Sequence, residues 1–122
     1  MSEEEANWWK QAARDFKVAK DLFKAKDYTH CSFFCQQSVE KALKALLLKK
    51  ERKLIKTHDL KFLGEMLNVS NDILEKCKKL SPVYLETRYP DANGKWREYS
   101  KQESEIDLKT TEEILAWIKK ML

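Results

Sequence analysis

The stretch from Tyr28 to Leu48 constrains the fold more than any other part of the sequence. It contains neither glycine nor proline, so no residue in it breaks a helix. Its small and apolar residues recur at helical spacing and cover more than one side of the predicted helix. They are Cys31, Phe34, Cys35, Ser38, Val39, Ala42, Leu43, Ala45, Leu46 and Leu47. We expect a central helix with neighbours on several sides and with Glu40, Lys41 and Lys44 in water.

Local signals place the ends of this helix and the start of the one before it. Asp27 stands where an N-cap belongs, and Lys49 and Lys50 lie where the helix dipole favours cations. Ser2-x-x-Glu5 is typical of a capping box that opens a first helix. The apolar stripe of that helix comprises Trp9, Ala12 or Ala13, Phe16, Ala19 and Phe23. The short polar break after it predicts that the two helices are antiparallel neighbours.

The rest of the chain also has helical periodicity. Thr57 is a candidate cap for a third helix, and Ser70 or Asn71 for a fourth that ends at Leu80. After Pro82 the pattern predicts a kink or a new helical turn, and a last helix runs from about residue 103 to residue 122. Only 2 glycines and 2 prolines argue against a turn-rich β fold. We predict one all-α domain over residues 1–122, an up-and-down four-helix bundle with a short additional helix.

Composition and charge limit the possible functions. The formal net charge of +4 permits contact with phosphates but does not require it. The 3 cysteines are an odd number without a disulfide framework, which favours a cytoplasmic protein with free thiols. The acidic start lacks the apolar core of a signal peptide, and no apolar run approaches the roughly 20 residues of a membrane span. We therefore expect no contact with a membrane.

The segment from Tyr84 to Tyr99 carries most of the candidate binding residues. Aromatic rings interleaved with basic groups suit a site that stacks bases and contacts phosphates. A proline, an asparagine and a glycine in its middle predict an irregular loop. The ligand-binding candidates here are Tyr84, Arg88, Tyr89, Asp91 and Lys95. The alternative is a loop that seals the end of the bundle, in which Arg88 pairs with Asp91 or Glu86.

His58 is a further ligand-binding candidate. The sequence Thr57-His58-Asp59-Leu60 places an imidazole and a carboxylate at a helix N-terminus, which also favours anions. The alternative is structural, with Thr57 as the cap, Asp59 complementing the helix dipole and His58 packed against the end of the central helix. His30, Cys31 and Cys35 raise the question of a metal, but they lack the paired spacing of a zinc site, and we expect no metal ion.

Three polar or aromatic residues are candidates for a subunit interface. Gln36 and Gln37 lie in the middle of the central helix, where glutamine is seldom fully buried. One of them is expected to hydrogen-bond across the bundle or across a dimer interface, unless both line a solvated groove. Trp8 is adjacent to Trp9 and does not share its stripe, so a partly exposed Trp8 is an interface candidate.

Four motifs along the chain have a recognisable order and spacing. The central stretch contains Phe34-x-Gln36-Gln37-x-x-Glu40-Lys41-Ala42-x-Lys44-Ala45. The other three are Trp8…Ala12…Asp15…Ala19, Thr57-His58-Asp59-Leu60 and Arg88-Tyr89-Pro90-Asp91. Together they resemble the HEPN family of small helical domains over nearly the whole chain. The resemblance implies a homodimer that acts with a separately encoded minimal nucleotidyltransferase, in a toxin–antitoxin-like pair. This domain then supplies or completes a site for a nucleotide or other substrate, without a cofactor, while the partner carries the metal-binding carboxylates.

The resemblance also implies two alternatives to this binding module. Many HEPN members cleave RNA with an arginine and a histidine four to six residues beyond it, which act as transition-state stabiliser and proton-transfer group. Here no histidine follows Arg88, and none lies after His58. One alternative is a ribonuclease toxin with a degenerate motif, in which Arg88 and Asp91 are the catalytic residues or Lys95 transfers the proton. The other alternative is a purely structural adaptor.

Overall fold

The computed structural model describes residues 1–122 and consists of helices joined by short turns and by two longer connections, residues 52–59 and 89–100. The helices are α1 (Glu3–Lys24), α2 (Tyr28–Glu51), α3 (Leu60–Met66), α4 (Asn71–Leu80), α5 (Val83–Arg88) and α6 (Lys101–Met121). The prediction of an all-α fold is confirmed. None of these helices is both long enough and apolar enough to cross a membrane.

α2 is the central helix of the molecule, because it contacts each of the other five. Contacts of α1 with α2, α2 with α4, α4 with α6 and α6 with α1 close a four-helix arrangement. The short helix α5 packs on α2, and the short helix α3 packs on α4 and α2. The predicted bundle is therefore present, with α4 as its shorter fourth member and two short additional helices where one was expected.

Side-chain caps determine where the long helices begin. Ser2 and Glu5 form the predicted capping box of α1, in which the Glu5 N–H donates to Ser2 Oγ at 3.1 Å. Asp27 caps α2, as predicted. Ser100 and Glu103 form a second capping box, so α6 begins slightly before the expected position. Because each cap satisfies backbone N–H groups that lack a partner within the helix, these starts are encoded locally.

The cap of α3 is Asp59, whose Oδ1 accepts from the backbone N–H of the third helical residue at 3.1 Å. The prediction that Thr57 is the cap is wrong, because α3 starts later than a cap at Thr57 requires. The Ser81 hydroxyl accepts from the Leu60 N–H at 2.9 Å and donates to Asp59 Oδ1 at 3.1 Å. Ser81 therefore ties the end of α4 to the start of α3, and the break at Pro82 separates α4 from α5.

α1 and α2 approach each other closely because the facing side chains are small. Ala12 and Ala19 are fully buried, and the Ser38 hydroxyl donates to the Ala12 backbone oxygen at 2.7 Å. Ala13, the alternative in the predicted stripe, is exposed. The largest apolar side chains in the core are Leu43, Leu46, Leu47, Leu60, Leu63, Leu80, Ile114 and Ile118. The core thus surrounds α2, as the pattern of that helix predicts.

Glu40 and Lys44 do not face water, and the prediction that they do is wrong. The side chains of Glu40 and Lys44 are only 5% and 9% exposed, and Lys44 Nζ lies 2.9 Å from Glu40 Oε2. Lys44 Nζ also lies 5.7 Å from the centroid of the Trp8 ring. Lys41 is half-buried and pairs with Asp15 at 2.6 Å. Charged groups are tolerated inside a protein when they are paired in this way, so the polar side of α2 is covered as well.

Candidate functional site

His58 is held against the middle of α2 by a buried carboxylate. Its Nδ1 lies 2.8 Å from Glu40 Oε1, and its backbone oxygen accepts from Gln36 Nε2 at 2.9 Å. Gln37 Nε2 donates to Gln36 Oε1 at 2.8 Å and thereby orients that amide. The His58 side chain is still 49% exposed. His58 therefore contacts α2 near its middle, and not at its end as the structural alternative expected.

The Tyr84 ring joins His58 to Arg88. The rings of His58 and Tyr84 are stacked, with centroids 3.8 Å apart and planes inclined by 14°. The Arg88 guanidinium carbon lies 5.4 Å from the Tyr84 centroid and 5.9 Å from the Phe33 centroid. Arg88 is exposed, and its guanidinium lies against two aromatic rings without forming an ion pair. It is therefore a cation available to a ligand.

The carboxylates that were expected to pair with Arg88 in the structural alternative have other partners. Asp91 Oδ1 accepts from the backbone N–H groups two and four residues further along, at 2.8 and 2.9 Å, and closes a turn. Glu86 Oε1 accepts from the Tyr99 hydroxyl at 2.8 Å and lies 3.9 Å from Arg97. Burial and this carboxylate raise the pKa of Tyr99 above its usual range. Pairing of Arg88 with Asp91 or Glu86 is therefore a wrong interpretation.

A cavity of about 470 Å³ opens beside His58, and we call it the His58 cavity. Its lining consists of Thr57, His58, Asp59, Lys61, Lys78, Ser81, Pro82, Tyr84 and Leu85. Lys61 and Lys78 come from different helices, and only Lys78 has an acidic neighbour, Glu75 at 3.1 Å. The volume lies within the range of about 300–1,000 Å³ that is usual for small-molecule sites. The cavity therefore combines an aromatic wall, an imidazole and two ammonium groups.

A second cavity, the Trp96 cavity, has a volume of about 690 Å³ and lies on the other side of Leu85. Its lining consists of Leu85, Glu86, Tyr89, Pro90, Asp91, Lys95, Trp96 and Arg97. Leu85, Tyr89 and Trp96 are 61%, 55% and 61% exposed. The structure thus divides the predicted ligand-binding residues: His58 and Tyr84 line one cavity, Tyr89, Asp91 and Lys95 line the other, and Arg88 lines neither.

The three predicted interface residues lie in different environments. Gln36 is fully buried within the chain, so it is not available to a second subunit, and its expected hydrogen bond runs across the bundle. Gln37 is half-buried next to it. Trp8 is half-buried, covers Lys44 and borders a shallow cavity at the start of α1. Only Gln37 and Trp8 therefore present accessible surface for an interface.

Sequence reasoning missed several residues of these sites. Glu40 was assigned to solvent, and Lys61, Lys78 and Phe33 were not singled out as binding residues. Glu40 and His58 are 18 positions apart, and Lys61 and Lys78 belong to separate helices. No local spacing reports such contacts. The one available signal was the charge at Glu40 on a helix whose apolar residues cover more than one side, because a buried charge requires a partner.

The cysteines belong to the core. Cys31, Cys35 and Cys77 are all free and buried. Burial raises the pKa of the Cys77 thiol to about 12, so this thiol stays protonated at neutral pH. No three histidine, cysteine, aspartate or glutamate residues lie close enough together to hold a metal ion. We therefore treat these thiols as small apolar side chains.

The bundle closed around α2, with the long loop between α5 and α6, defines an HEPN-type helical domain. The sequence matches the HEPN domain family from residue 6 to residue 121. The chain therefore belongs to this family, and the resemblance noted from the four motifs is confirmed.

Individual relatives agree with this assignment. A Methanocaldococcus jannaschii protein named "Putative toxin MJ1304" is 29% identical over 93% of this chain and 84% of its own length. The crystal structure of TT1696 from Thermus thermophilus has a TM-score of 0.89 and 29% identity, and covers 99% of this chain and all of that one. ST0689, an archaeal HEPN homologue, has a TM-score of 0.81 and 26% identity, with 97% of each chain covered.

Proposed function

We propose that this chain is a nucleotide- or substrate-binding HEPN module that occupies residues 1–122 as one domain. It forms a homodimer in the cytoplasm and acts with a separately encoded minimal nucleotidyltransferase, as a toxin–antitoxin-like pair. The ligand contacts His58, Tyr84 and Arg88, and Tyr89, Asp91 and Lys95 shape the adjoining surface. The module binds and presents its ligand, and the partner carries the metal-binding carboxylates.

The observation that carries this proposal is the unpaired Arg88 guanidinium beside the His58 cavity. It lies against Tyr84, which also forms a wall of the cavity. Lys61 and Lys78 add two ammonium groups to the lining of the cavity. Cationic groups next to aromatic rings are what proteins use to hold phosphates and bases together. The arrangement therefore suits a phosphorylated nucleoside better than an apolar ligand.

The family assignment supports the pairing with a nucleotidyltransferase. The Methanocaldococcus relative carries the name of a toxin, which agrees with a toxin–antitoxin context. The sequence contains no histidine in the window after Arg88, so the proposal does not depend on a ribonuclease motif. A non-catalytic module with a partner enzyme accounts for both the toxin-like relative and the absence of a histidine after Arg88.

The proposal predicts direct nucleotide binding that requires Arg88. Calorimetric titration of the purified protein with ATP, with and without magnesium, should give a saturable signal. Arg88→Ala should weaken binding at least tenfold, because a charge-assisted contact of about 1.5–3 kcal/mol is lost. Arg14→Ala, which removes an exposed arginine of α1, is the matched control and should bind like the wild type. Equal affinities of Arg88→Ala and wild type would remove Arg88 from the site.

A ribonuclease toxin is the second candidate, because Arg88 and His58 contact the same ring. Arg88 lies 5.4 Å and the His58 ring 3.8 Å from the Tyr84 centroid, so the two groups share one aromatic neighbour. Since Asp91 Oδ1 is engaged by backbone N–H groups, the proton-transfer role in this candidate falls to His58. Metal-independent RNA cleavage that Arg88→Ala abolishes would favour it. No binding and no cleavage, with Arg88→Ala affecting stability alone, would favour the structural adaptor.

A further inference from the structure

The hydrogen bonds around Glu40 determine which nitrogen of His58 carries the proton. One Glu40 oxygen accepts from Lys44 Nζ at 2.9 Å, and the other lies 2.8 Å from His58 Nδ1 and also accepts from Gln37 Nε2 at 3.4 Å. An ammonium has donors only, and an ionised carboxylate has acceptors only. A neutral imidazole in this position must therefore place its proton on Nδ1. The remaining nitrogen, Nε2, is left as an unprotonated acceptor without a partner in the chain.

The orientation of this acceptor is fixed from several sides. Tyr84 stacks on one face of the imidazole with centroids 3.8 Å apart. Gln36 Nε2 donates to the His58 backbone oxygen at 2.9 Å, so both the backbone and the side chain of His58 are hydrogen-bonded to α2. The ring lines the His58 cavity and is 49% exposed. A ligand in the cavity therefore meets the free edge of a ring whose tautomer and position are set before binding.

We propose that His58 Nε2 accepts a hydrogen bond from a ribose hydroxyl, so that the site selects ribonucleotides over deoxyribonucleotides. This inference rests on the proposed nucleotide-binding function and adds the specificity of the same site. Lys61 and Lys78 line the cavity with His58 and provide the contacts for a phosphate. In a nucleotide the hydrogen-bond donors nearest the phosphate are the ribose hydroxyls. An analogue without that hydroxyl leaves Nε2 without a donor.

Glu40 is a positioning residue in this scheme, because it acts on the ligand through His58. In Glu40→Gln two donors compete for the single amide oxygen, and the Lys44 ammonium at 2.9 Å should hold it in preference to the neutral Gln37 amide at 3.4 Å. The amide NH₂ then faces His58 Nδ1 as a donor and forces the proton onto Nε2. This variant should therefore turn the acceptor into a donor while leaving the size and packing of the side chain almost unchanged.

The test compares ATP, 2′-deoxy-ATP and 3′-deoxy-ATP by calorimetry on the full chain. The wild type should bind ATP about tenfold more tightly than 2′-deoxy-ATP, the loss expected for one unmade hydrogen bond. A loss confined to 3′-deoxy-ATP would overturn the claim. His58→Phe keeps a ring to stack on Tyr84 but lacks the acceptor, so it should bind all three nucleotides equally. Glu40→Gln should also lose the preference. His30→Phe is the matched control and should retain it, since His30 pairs with Asp27 outside the cavity.

A second readout does not depend on ligand binding. The chain has only 2 histidines, so ¹⁵N-detected NMR spectra at pH 8 assign their tautomers directly, with His30→Phe identifying the other signal. His58 should carry its proton on Nδ1 in the wild type and on Nε2 in Glu40→Gln. A wild-type Nε2–H tautomer would overturn the inference whatever the nucleotide data show.

The failures of the two proposals are distinguishable. If the wild type binds ATP and both deoxy analogues with equal affinity, the nucleotide site stands and the specificity claim is overturned. If no nucleotide binds at all, the proposed function and the specificity claim fall together. A preference that persists in His58→Phe would assign the selection to another residue and would also overturn the claim.

Discussion

Asp107 carries a carboxylate that is harder to ionise in the folded chain than in the unfolded one. Burial against α2 is the main cause and raises the pKa of Asp107 to about 6 from the ordinary value of 3.8. The carboxylates of Glu103 and Glu86 add to the increase, whereas Ser32 and Arg97 oppose it. Because the folded state holds this proton more tightly, the contribution of Asp107 to the free energy of unfolding falls as the pH rises from about 4 to about 6.

Asp107→Asn should therefore stabilise the protein above neutral pH. The shift corresponds to at most about 3 kcal/mol, and partial exposure reduces the expected gain at pH 7.5 to about 1–2 kcal/mol. Most of this gain should disappear by pH 4, where the wild-type carboxyl is already protonated. Urea unfolding at pH 7.5 and at pH 4 measures the gain in the free energy of unfolding and its loss at low pH. Glu105→Gln, at an exposed position of α6, should change neither, and an Asp107→Asn gain of equal size at pH 4 would contradict this explanation.

Individual residues show which structural features the sequence predicts and which it does not. The caps Ser2 and Asp27 act on backbone groups within three residues of themselves, so local pattern identifies them correctly. Glu40 was placed in water because a charge on an amphipathic helix normally lies there. Its partners include His58, which lies 18 positions further along the chain, in the segment that folds back onto α2. Local sequence patterns do not predict a contact over that separation.

At the level of the helices, the close packing of α1 on α2 depends on small side chains at the contact. Ala12 and Ala19 are fully buried, and Ser38 donates to the Ala12 backbone oxygen at 2.7 Å. The periodicity of α1 left Ala12 and Ala13 as equal candidates for this contact. They are adjacent and point in different directions, so only the packing distinguishes them.

Ala12→Leu should destabilise the bundle, because the added atoms must be accommodated between two closely packed helices. We expect a loss of about 2–3 kcal/mol in the free energy of unfolding, measured by urea denaturation. Ala13→Leu introduces the same side chain at the exposed neighbouring position and should cost less than about 0.5 kcal/mol. Equal losses in the two variants would mean that α1 meets α2 through a different face.

At the scale of the whole molecule, the long loop and the surface around Trp8 contribute to different cavities. The predicted aromatic and basic segment is present, but it contributes to two cavities divided by Leu85. The basic residues Lys61 and Lys78 complete one of them from α3 and α4, which precede that segment in the chain. Residue types in that segment thus predicted part of the lining of the two cavities, and the fold supplied the rest.

The proposed homodimer makes a prediction about Trp8. If the surface of α1 that carries Trp8 is the interface, light scattering should give twice the mass of one chain for the wild type and one chain mass for Trp8→Ala. Trp96→Ala removes an equally large ring from an exposed loop position and should leave the dimer intact. Dissociation by Trp96→Ala, with no effect of Trp8→Ala, would move the interface to the loop.

The claim on which the rest depends is that a nucleotide binds at the His58 cavity beside Arg88. The most direct test is to follow backbone amide signals by ¹⁵N NMR while ATP is added to the wild-type protein. We predict that the largest shifts occur in residues 57–61 and 78–88, the two segments that line the cavity and carry Arg88. Saturating shifts confined to other parts of the surface, or no shifts up to millimolar ATP, would contradict the account.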